Sequence, residues 1–330
     1  MTKRIVYSCP FVPAEWIAAH GMQPSLILPE FSVDRRSSGI HAGICPYARE
    51  FMNTVCSEAS GDAVVFTTVC DQMRRMPELM PRDCDRPVFL MNVPSTWQHA
   101  GARQIYVDEL ERLGRFMVRL GGSSPSREYL AKVMREYDDS RMALRKARGY
   151  LTAREYSEAI AAFHRGDRPS FSRDTNAQPE KQGVSLALLG SPLMGNGFWI
   201  FDLIEQTGGR VVLDATESGE ISLPGPFHRL RLNENPMSEI IDAYFGAIPG
   251  VFRRPNSGLY DWLGREIRAR GVRGILLLRY VWCDLWHAEV ERMKEVTGLP
   301  VVDMGIESSD EASMRSRFAT RIQALLELVR

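Results

Sequence analysis

Short apolar runs and amphipathic segments alternate along the first part of the chain. Four apolar runs predict strands, at residues 4–8, 25–29, 62–68 and 87–93. The segments 13–21 and 46–59 predict helices, the first with Pro13 at its start and Gly21 at its end, and a further helical stretch separates the last two strands. Strands that alternate with helices indicate a parallel sheet covered on both faces.

The alternation stops near residue 99 and resumes at residue 184. Residues 99–165 contain amphipathic helices without a convincing strand, and the polar stretch 164–183 is the best candidate boundary. Four more strands and a closing helix follow, at 184–190, 209–215, 273–282, 299–305 and 311–329. We expect an α/β fold of two Rossmann-like or flavodoxin-like lobes with parallel sheets, joined by a helical segment. The predicted division is an N-terminal lobe, a helical segment with linker, and a C-terminal lobe, over residues 1–98, 99–183 and 184–330.

The composition is that of an ordinary globular protein, and it argues against a nucleic-acid partner and a membrane segment. Its 330 residues are 44% hydrophobic and 25% charged, and 41 basic residues balance 41 acidic ones. A nucleic-acid-binding surface needs a concentrated basic excess, so we expect no nucleic-acid partner. The lack of an apolar run of about 20 residues predicts no membrane segment. The very short apolar stretch before Pro10 is not typical of a secretory signal, so we expect a cytoplasmic protein.

Three of the six cysteines stand at predicted helix N-termini. Cys45 precedes a proline that suits a first helical turn, and Cys70 and Cys283 each follow an apolar strand. We expect reduced thiols in the cytoplasm, and a helix N-terminus favours the thiolate that binds iron or zinc. The strand ends of both lobes can face one cleft, where the three thiols would meet. Spacing alone, without a CxxC motif, leaves open that they are small buried residues at tight turns.

The residues around these cysteines carry a family resemblance. The segments "YSCPFVPAEWIAAHGMQP", "CPYAR", "FTTVCDQMRR", "LMNVPSTW" and "WCDLWHAE" occur in this order, followed by "GLPVVDMGIES" and "TRIQALLEL". From Val6 to about Leu328 the chain resembles the 2-hydroxyacyl-CoA dehydratase D-component family, which includes the benzoyl-CoA reductase core subunits. The resemblance implies a [4Fe-4S] cluster between two α/β lobes. Cys45, Cys70 and Cys283 match its cysteine ligands and leave one iron open to a substrate thioester oxygen.

The other three cysteines are weaker candidates for metal ligands. Cys9 matches an additional ligand of the related double-cubane proteins, so it is either a fourth ligand or a filler at a strand end. A double-cubane cluster is disfavoured, because the corresponding second-lobe segment "AIPGVFRRPNSG" has no cysteine. We expect Cys56 to pack in the core beside Met52. Cys84 lies in a charged loop without an evident partner.

Three residues are candidates for proton transfer or substrate binding: Glu15, Arg74 and Arg75. Glu15, in the first predicted helix, would act on a substrate proton if it lies near the cleft; the alternative is a glutamate that only stabilises the helix dipole. Arg74 and Arg75 would hold the phosphates of CoA, or belong to a solvated helix face.

The resemblance implies an enzyme subunit that eliminates water from a 2-hydroxyacyl-CoA through a ketyl radical. The electron would come from a separate ATP-dependent iron–sulfur activator, since nothing in the chain resembles a P-loop. The alternatives are a benzoyl-CoA reductase-like or double-cubane-type reductase subunit, or a non-catalytic electron-relay partner. Many family members carry a helical extension before the first strand, which here begins at Arg4. Because a cluster needs protection, we expect pairing with a homologous second subunit or a homodimer.

Overall fold

The computed structural model describes residues 2–31, 43–57, 61–81, 84–167, 182–307 and 310–329. Most of the polar stretch predicted as a boundary, residues 168–181, lies outside them. Two four-stranded, all-parallel sheets form the frame of the molecule. The α/β class predicted from the sequence is therefore confirmed.

The first sheet contains β1 (Arg4–Tyr7), β2 (Gln23–Leu26), β3 (Ala63–Thr67) and β4 (Val88–Met91), in the order β2-β1-β3-β4. In the register of the central strand β1, Ile5 lies opposite Pro24 on one side and Ala63 on the other. The accompanying helices are α1 (Ala14–Ala19), α2 (Pro46–Cys56) and α3 (Asp71–Leu79). The predicted ends of the strands and of α1 and α2 lie within three residues of those observed, and α3 lies between β3 and β4, where a helical stretch is expected.

Three helices connect the two sheets: α4 (Ala100–Arg119), α5 (Arg127–Ala147) and α6 (Ala153–Arg165). Their sequence sets their ends. The Ser126 hydroxyl accepts the Tyr129 N–H at the start of α5, and Thr152 and Glu155 form a reciprocal capping box at the start of α6. Gly166, in the left-handed conformation, ends α6. The helical segment expected over 99–165 is therefore present, whereas the division of the chain into domains stays a prediction.

The second sheet contains β5 (Val184–Gly190), β6 (Gly209–Thr216), β7 (Gly274–Tyr280) and β8 (Val301–Ile306), in the order β6-β5-β7-β8. Each sheet thus has its strands in the same spatial order: second, first, third, fourth. Ligands of such open sheets bind beyond the carboxyl ends of the strands, at the point where the strand order reverses.

The helices of the second lobe cover its sheet. They are α7 (Trp199–Gln206), α8 (Arg229–Glu234), α9 (Pro236–Ile240), α10 (Ser257–Arg270), α11 (Asp284–His287), α12 (Val290–Thr297) and α13 (Glu311–Val329). A 3₁₀ turn (Glu220–Ser222) and a π-helical turn (Ile241–Gly246) complete the set. Among the described helices, none combines the length and the hydropathy that a membrane crossing requires.

Backbone contacts tie the lobes together close to their strand ends. Thr96 forms an isolated parallel bridge with Arg254. Next to it, the Trp97 indole donates to the Pro255 carbonyl oxygen at 2.8 Å. One apolar core also runs through both sheets, from Ile5 in β1 to Leu277 in β7. The lobes are therefore packed against each other, so that residues after β3 and after β7 can share one site.

Candidate functional site

A cavity of about 420 Å³ lies beyond the carboxyl ends of strands from both sheets. Residues that follow β1, β3, β5, β6 and β7 form its wall. All four cysteines that are free in the described part of the chain line it: Cys9, Cys45, Cys70 and Cys283. A larger cavity of about 670 Å³ lies at the amino ends of β5 and β6, beside Gly183 and Gly209, and its described wall contains no cysteine.

Cys70 and Cys283 occupy equivalent positions in the two lobes. Each lies three residues beyond the third strand of its sheet and caps the next helix, α3 or α11. The Met73 N–H donates to the Cys70 sulfur at 3.4 Å. The Ser191 hydroxyl donates to the Cys283 sulfur at 3.7 Å. The helix N-termini expected at both residues are confirmed.

Cys45 and Cys9 come from the first lobe. Cys45 caps α2, as expected, and its N–H donates to the side-chain oxygen of Gln72 at 3.0 Å, which ties α2 to α3 beside the cavity. Cys9 follows β1 by two residues and is buried. The structure thus gathers the three residues expected to bind a cluster, together with Cys9, around one cavity.

Burial, rather than the helix dipole, dominates the titration of these thiols. Burial raises the pKa of Cys9 to about 12 and that of Cys283 to about 11, and it raises the pKa of Cys45 and of Cys70 as well. Backbone N–H donors near each sulfur lower its pKa by less than burial raises it. Without a bound metal, burial thus opposes the thiolates that the helix N-termini favour. A positive metal centre would be needed to displace the protons.

The donor set at this cavity has the chemistry of an iron–sulfur cluster site. Within the described residues, no group of three or more His, Cys, Asp or Glu side chains is arranged to hold one metal ion. In a cubane each cysteine binds a different iron, so its ligand sulfurs stand apart around the cluster. The four cysteines of this cavity come from both lobes and provide the thiol ligands that such clusters use.

Cys56 and Cys84 overturn the expectation that no cysteine would form a disulfide. Cys56, the last residue of α2, is bonded to Cys84, with their Cα atoms 5.3 Å apart. The Cys56 sulfur also contacts the Met52 sulfur at 3.8 Å, as the core-packing expectation implied. No local pattern indicates this pairing, because α2 and the segment before β4 bring the two residues together.

Glu15 lies in a fully buried ion pair. It contacts the Arg141 guanidinium of α5 and accepts the hydroxyl of Tyr244, and it does not contribute to the described wall of the four-cysteine cavity. A carboxylate compensated in this way stabilises the packing of α1 on α5. A role in proton transfer stays a prediction that this geometry does not favour.

Arg74 and Arg75 lie on the exposed face of α3. Arg74 pairs with Asp71 at 3.1 Å, one helical turn away. Asp71 itself stands at the cavity rim, whereas neither arginine is among the residues that line it. Binding of CoA phosphates by these arginines stays a prediction.

Glu217 is the residue that the sequence analysis missed. It is the first residue after β6, it lines the cavity, and its carboxylate accepts the Trp286 indole N–H at 3.1 Å. Burial raises its pKa to about 7, and the Trp286 hydrogen bond offsets only part of that rise. The strand-end rule that singled out Cys70 and Cys283 points equally to Glu217.

Trp282 shows local backbone strain at the same edge. It is the only non-glycine residue with a positive φ in the described chain, at 69°, and its side chain is 54% exposed. Such a conformation costs a bulky residue about 1–3 kcal/mol. It turns the chain between β7 and Cys283, and the Trp282 side chain lines the cavity.

These features define a two-lobed α/β protein with a cleft that is lined by thiols from both lobes. Residues 9–329 match the 2-hydroxyglutaryl-CoA dehydratase D-component family, and the chain belongs to that family. The chain has no match among curated proteins. The family is a dehydratase-type component linked to iron–sulfur clusters.

Proposed function

We propose that this chain is the iron–sulfur subunit of a 2-hydroxyacyl-CoA dehydratase-like enzyme. The observation that carries the proposal is the meeting of Cys45, Cys70 and Cys283 at one cavity in a chain of this family. These three thiols would hold a [4Fe-4S] cluster, and Cys9, in the same wall, would be its fourth ligand or a close neighbour. Bound there, the cluster supplies one low-potential electron to an acyl thioester.

The protein's own contribution is binding, orientation and exclusion of water. The wall of the cavity includes the apolar side chains of Phe11, Ile221 and Phe252, which exclude water from a bound acyl group. The raised thiol pKa values mean that loading the site releases protons from the cysteines. A cavity of about 420 Å³ suits the acyl end of the substrate, so the nucleotide end of CoA would lie outside it.

The proposal includes two protein partners. A separate ATP-dependent iron–sulfur activator would deliver the electron. A homologous second subunit, or a second copy of this chain, would cover the open side of the cavity and complete the substrate site.

The test begins with protein purified under nitrogen. We expect about four irons and four sulfides per chain by chemical analysis if the site holds one cubane. Cys45→Ser should lose this iron, whereas Cys84→Ser, outside the cavity, should keep it. Wild-type protein without iron after anaerobic reconstitution would contradict the proposal.

Activity then separates the catalytic subunit from the relay. Adding the activator, ATP and a panel of 2-hydroxyacyl-CoA thioesters should produce the matching enoyl-CoA, measured by chromatography. A loaded cluster that only transfers electrons to a homologous subunit would assign this chain to the relay role. Reduction of an aromatic acyl-CoA ring in the same assay would favour the benzoyl-CoA reductase-like alternative.

A further inference from the structure

Two of the polar side chains in the cavity wall stand out, because the structure leaves them few partners. One is the carboxylate of Glu217, and the other is the hydroxyl of Tyr47, the second residue of α2. They enter from opposite lobes, since Glu217 follows β6 and Tyr47 follows the Cys45 cap of the first lobe. Both would face whatever occupies the space between the four cysteines.

The Tyr47 hydroxyl is buried without a hydrogen-bond partner among the described residues. Its ring packs against Tyr280, with centroids 5.7 Å apart, so the side chain is fixed in place. A buried hydroxyl without a partner costs about 1–3 kcal/mol. Such a group is expected to be satisfied by a bound molecule.

Glu217 offers the complementary group. One hydrogen bond, from the Trp286 indole, holds its carboxylate, and none of the ion pairs in the described chain includes it. Like Tyr47, it lines the four-cysteine cavity. The pair therefore presents a fixed donor and a fixed acceptor to the cavity, on groups that do not bond to each other.

We propose that Tyr47 and Glu217 together recognise the hydroxyl group of a 2-hydroxyacyl thioester. An alcohol both accepts and donates one hydrogen bond, so it can accept from Tyr47 and donate to Glu217 at once. A thioester without the hydroxyl leaves both groups unsatisfied, which is how a polar site discriminates strongly against an analogue. The inference rests on the proposed function, because it assigns the specificity of that same cavity.

The test is binding without turnover. Iron-loaded protein under nitrogen, without activator, is titrated with 2-hydroxybutyryl-CoA and with butyryl-CoA by isothermal calorimetry. We expect wild-type protein to prefer the hydroxylated thioester at least about tenfold, a modest fraction of what hydroxyl-binding sites reach. Tyr47→Phe and Glu217→Leu should each reduce that preference to less than about threefold, mainly by weakening the hydroxylated ligand.

Two variants keep the test decisive. Tyr47→Phe removes only an oxygen that bonds nothing in the described chain, so it should fold even if Glu217→Leu does not. Glu158→Gln, at a partly exposed carboxylate outside the cavity wall, should keep the wild-type preference. Equal loss in Glu158→Gln, unchanged preference in Tyr47→Phe, or a wild type that binds both thioesters equally or binds neither would each overturn the inference.

These binding experiments can fail without the proposed dehydratase function failing, and the reverse also holds. Dehydration with an unchanged preference in Tyr47→Phe would leave the proposed function standing and remove this assignment. A tenfold preference that both variants abolish, in a protein that never dehydrates the ligand, would leave the hydroxyl-binding site standing and remove the dehydratase.

Discussion

The two lobes have the same strand order but place different side chains at equivalent strand ends. After the first and third strands, the first lobe provides Cys9 and Cys70, and the second provides Ser191 and Cys283. The first lobe adds Cys45 at the start of α2, and the second adds Glu217 directly after β6. Only the third position carries a thiol in both lobes. The first lobe thus supplies mainly sulfur, whereas the second combines one sulfur with oxygen groups. One strand order thus supports a thiol-rich half and a half of mixed thiol and oxygen groups around the same cavity.

The largest expected effect comes from replacing, one at a time, the two cysteines that occupy equivalent positions in both lobes, Cys70 and Cys283. Cys70→Ser and Cys283→Ser should each lose nearly all iron, because three ligands leave no spare thiolate for a cubane. Iron and sulfide analysis after anaerobic reconstitution measures the effect, with Ser191→Ala as a control that keeps both Cys70 and Cys283. Full iron content in Cys283→Ser would mean that the first lobe holds the metal alone, with Cys9 as the third ligand.

The lobes also differ in how they satisfy a buried glutamate. Glu15 in the first lobe pairs with the Arg141 guanidinium, whereas Glu289 in the second accepts the neutral groups of Asn256 and Tyr260. Arg141→Met leaves an uncompensated charge and should lower the free energy of unfolding by about 3–5 kcal/mol. Tyr260→Phe should cost about 1.5–3 kcal/mol, as for one hydrogen bond to a charged group.

Urea unfolding of the cluster-free protein measures both losses. The double variant Glu15→Gln with Arg141→Met should regain part of the stability, because no charge is left unpaired. A loss for Arg141→Met no larger than that for Tyr260→Phe would show that the ion pair contributes no more than a neutral hydrogen bond.

The smallest expected effect concerns the joint between the helical segment and the second lobe. His164 of α6 lies 2.7 Å from the Ser222 hydroxyl, and burial, together with the Arg141 charge, lowers its pKa to about 4. In the unfolded chain the imidazole of His164 binds a proton near pH 6.5, whereas in the folded protein it stays neutral down to about pH 4. The stability that depends on the neutral histidine is therefore lost as the pH falls from about 6.5 to about 4. Between pH 7 and pH 5 that loss is about 2 kcal/mol.

The measurement is the difference in unfolding free energy between wild type and His164→Gln at the two pH values. Burial raises the pKa of Asp214 to about 6 and that of Glu217 to about 7, so these two groups make the protein more stable as the pH falls. Their contribution is the same in wild type and variant, so it cancels in the difference. The advantage of wild type over the variant should shrink at pH 5. An advantage that stays constant would show that His164 titrates normally in the folded protein.

Local patterns explain what could be predicted from the sequence. Apolar runs bounded by Pro, Gly and capping residues define β1 to β8, and they also place Cys45, Cys70 and Cys283 at helix starts. The helices at 229–240 and 257–270 received no prediction, since irregular segments separate them and no strand alternates with them. The Cys56–Cys84 bond, the Glu15–Arg141 pair and the desolvation of the thiols depend on contacts between distant segments, which no local pattern contains.

Trp282 also gives the molecule an optical property. The exposed indole adjoins Cys283 in the chain, and Trp286 stands in the wall of the same cavity, whereas the other four of the six tryptophans lie outside that wall. An iron–sulfur cluster absorbs the near-ultraviolet light that indoles emit, so a filled cavity would quench these two residues most strongly. Fluorescence would return as the cluster degrades in air. The strained turn after β7 therefore provides a label-free signal for following the loading and decay of the site in real time.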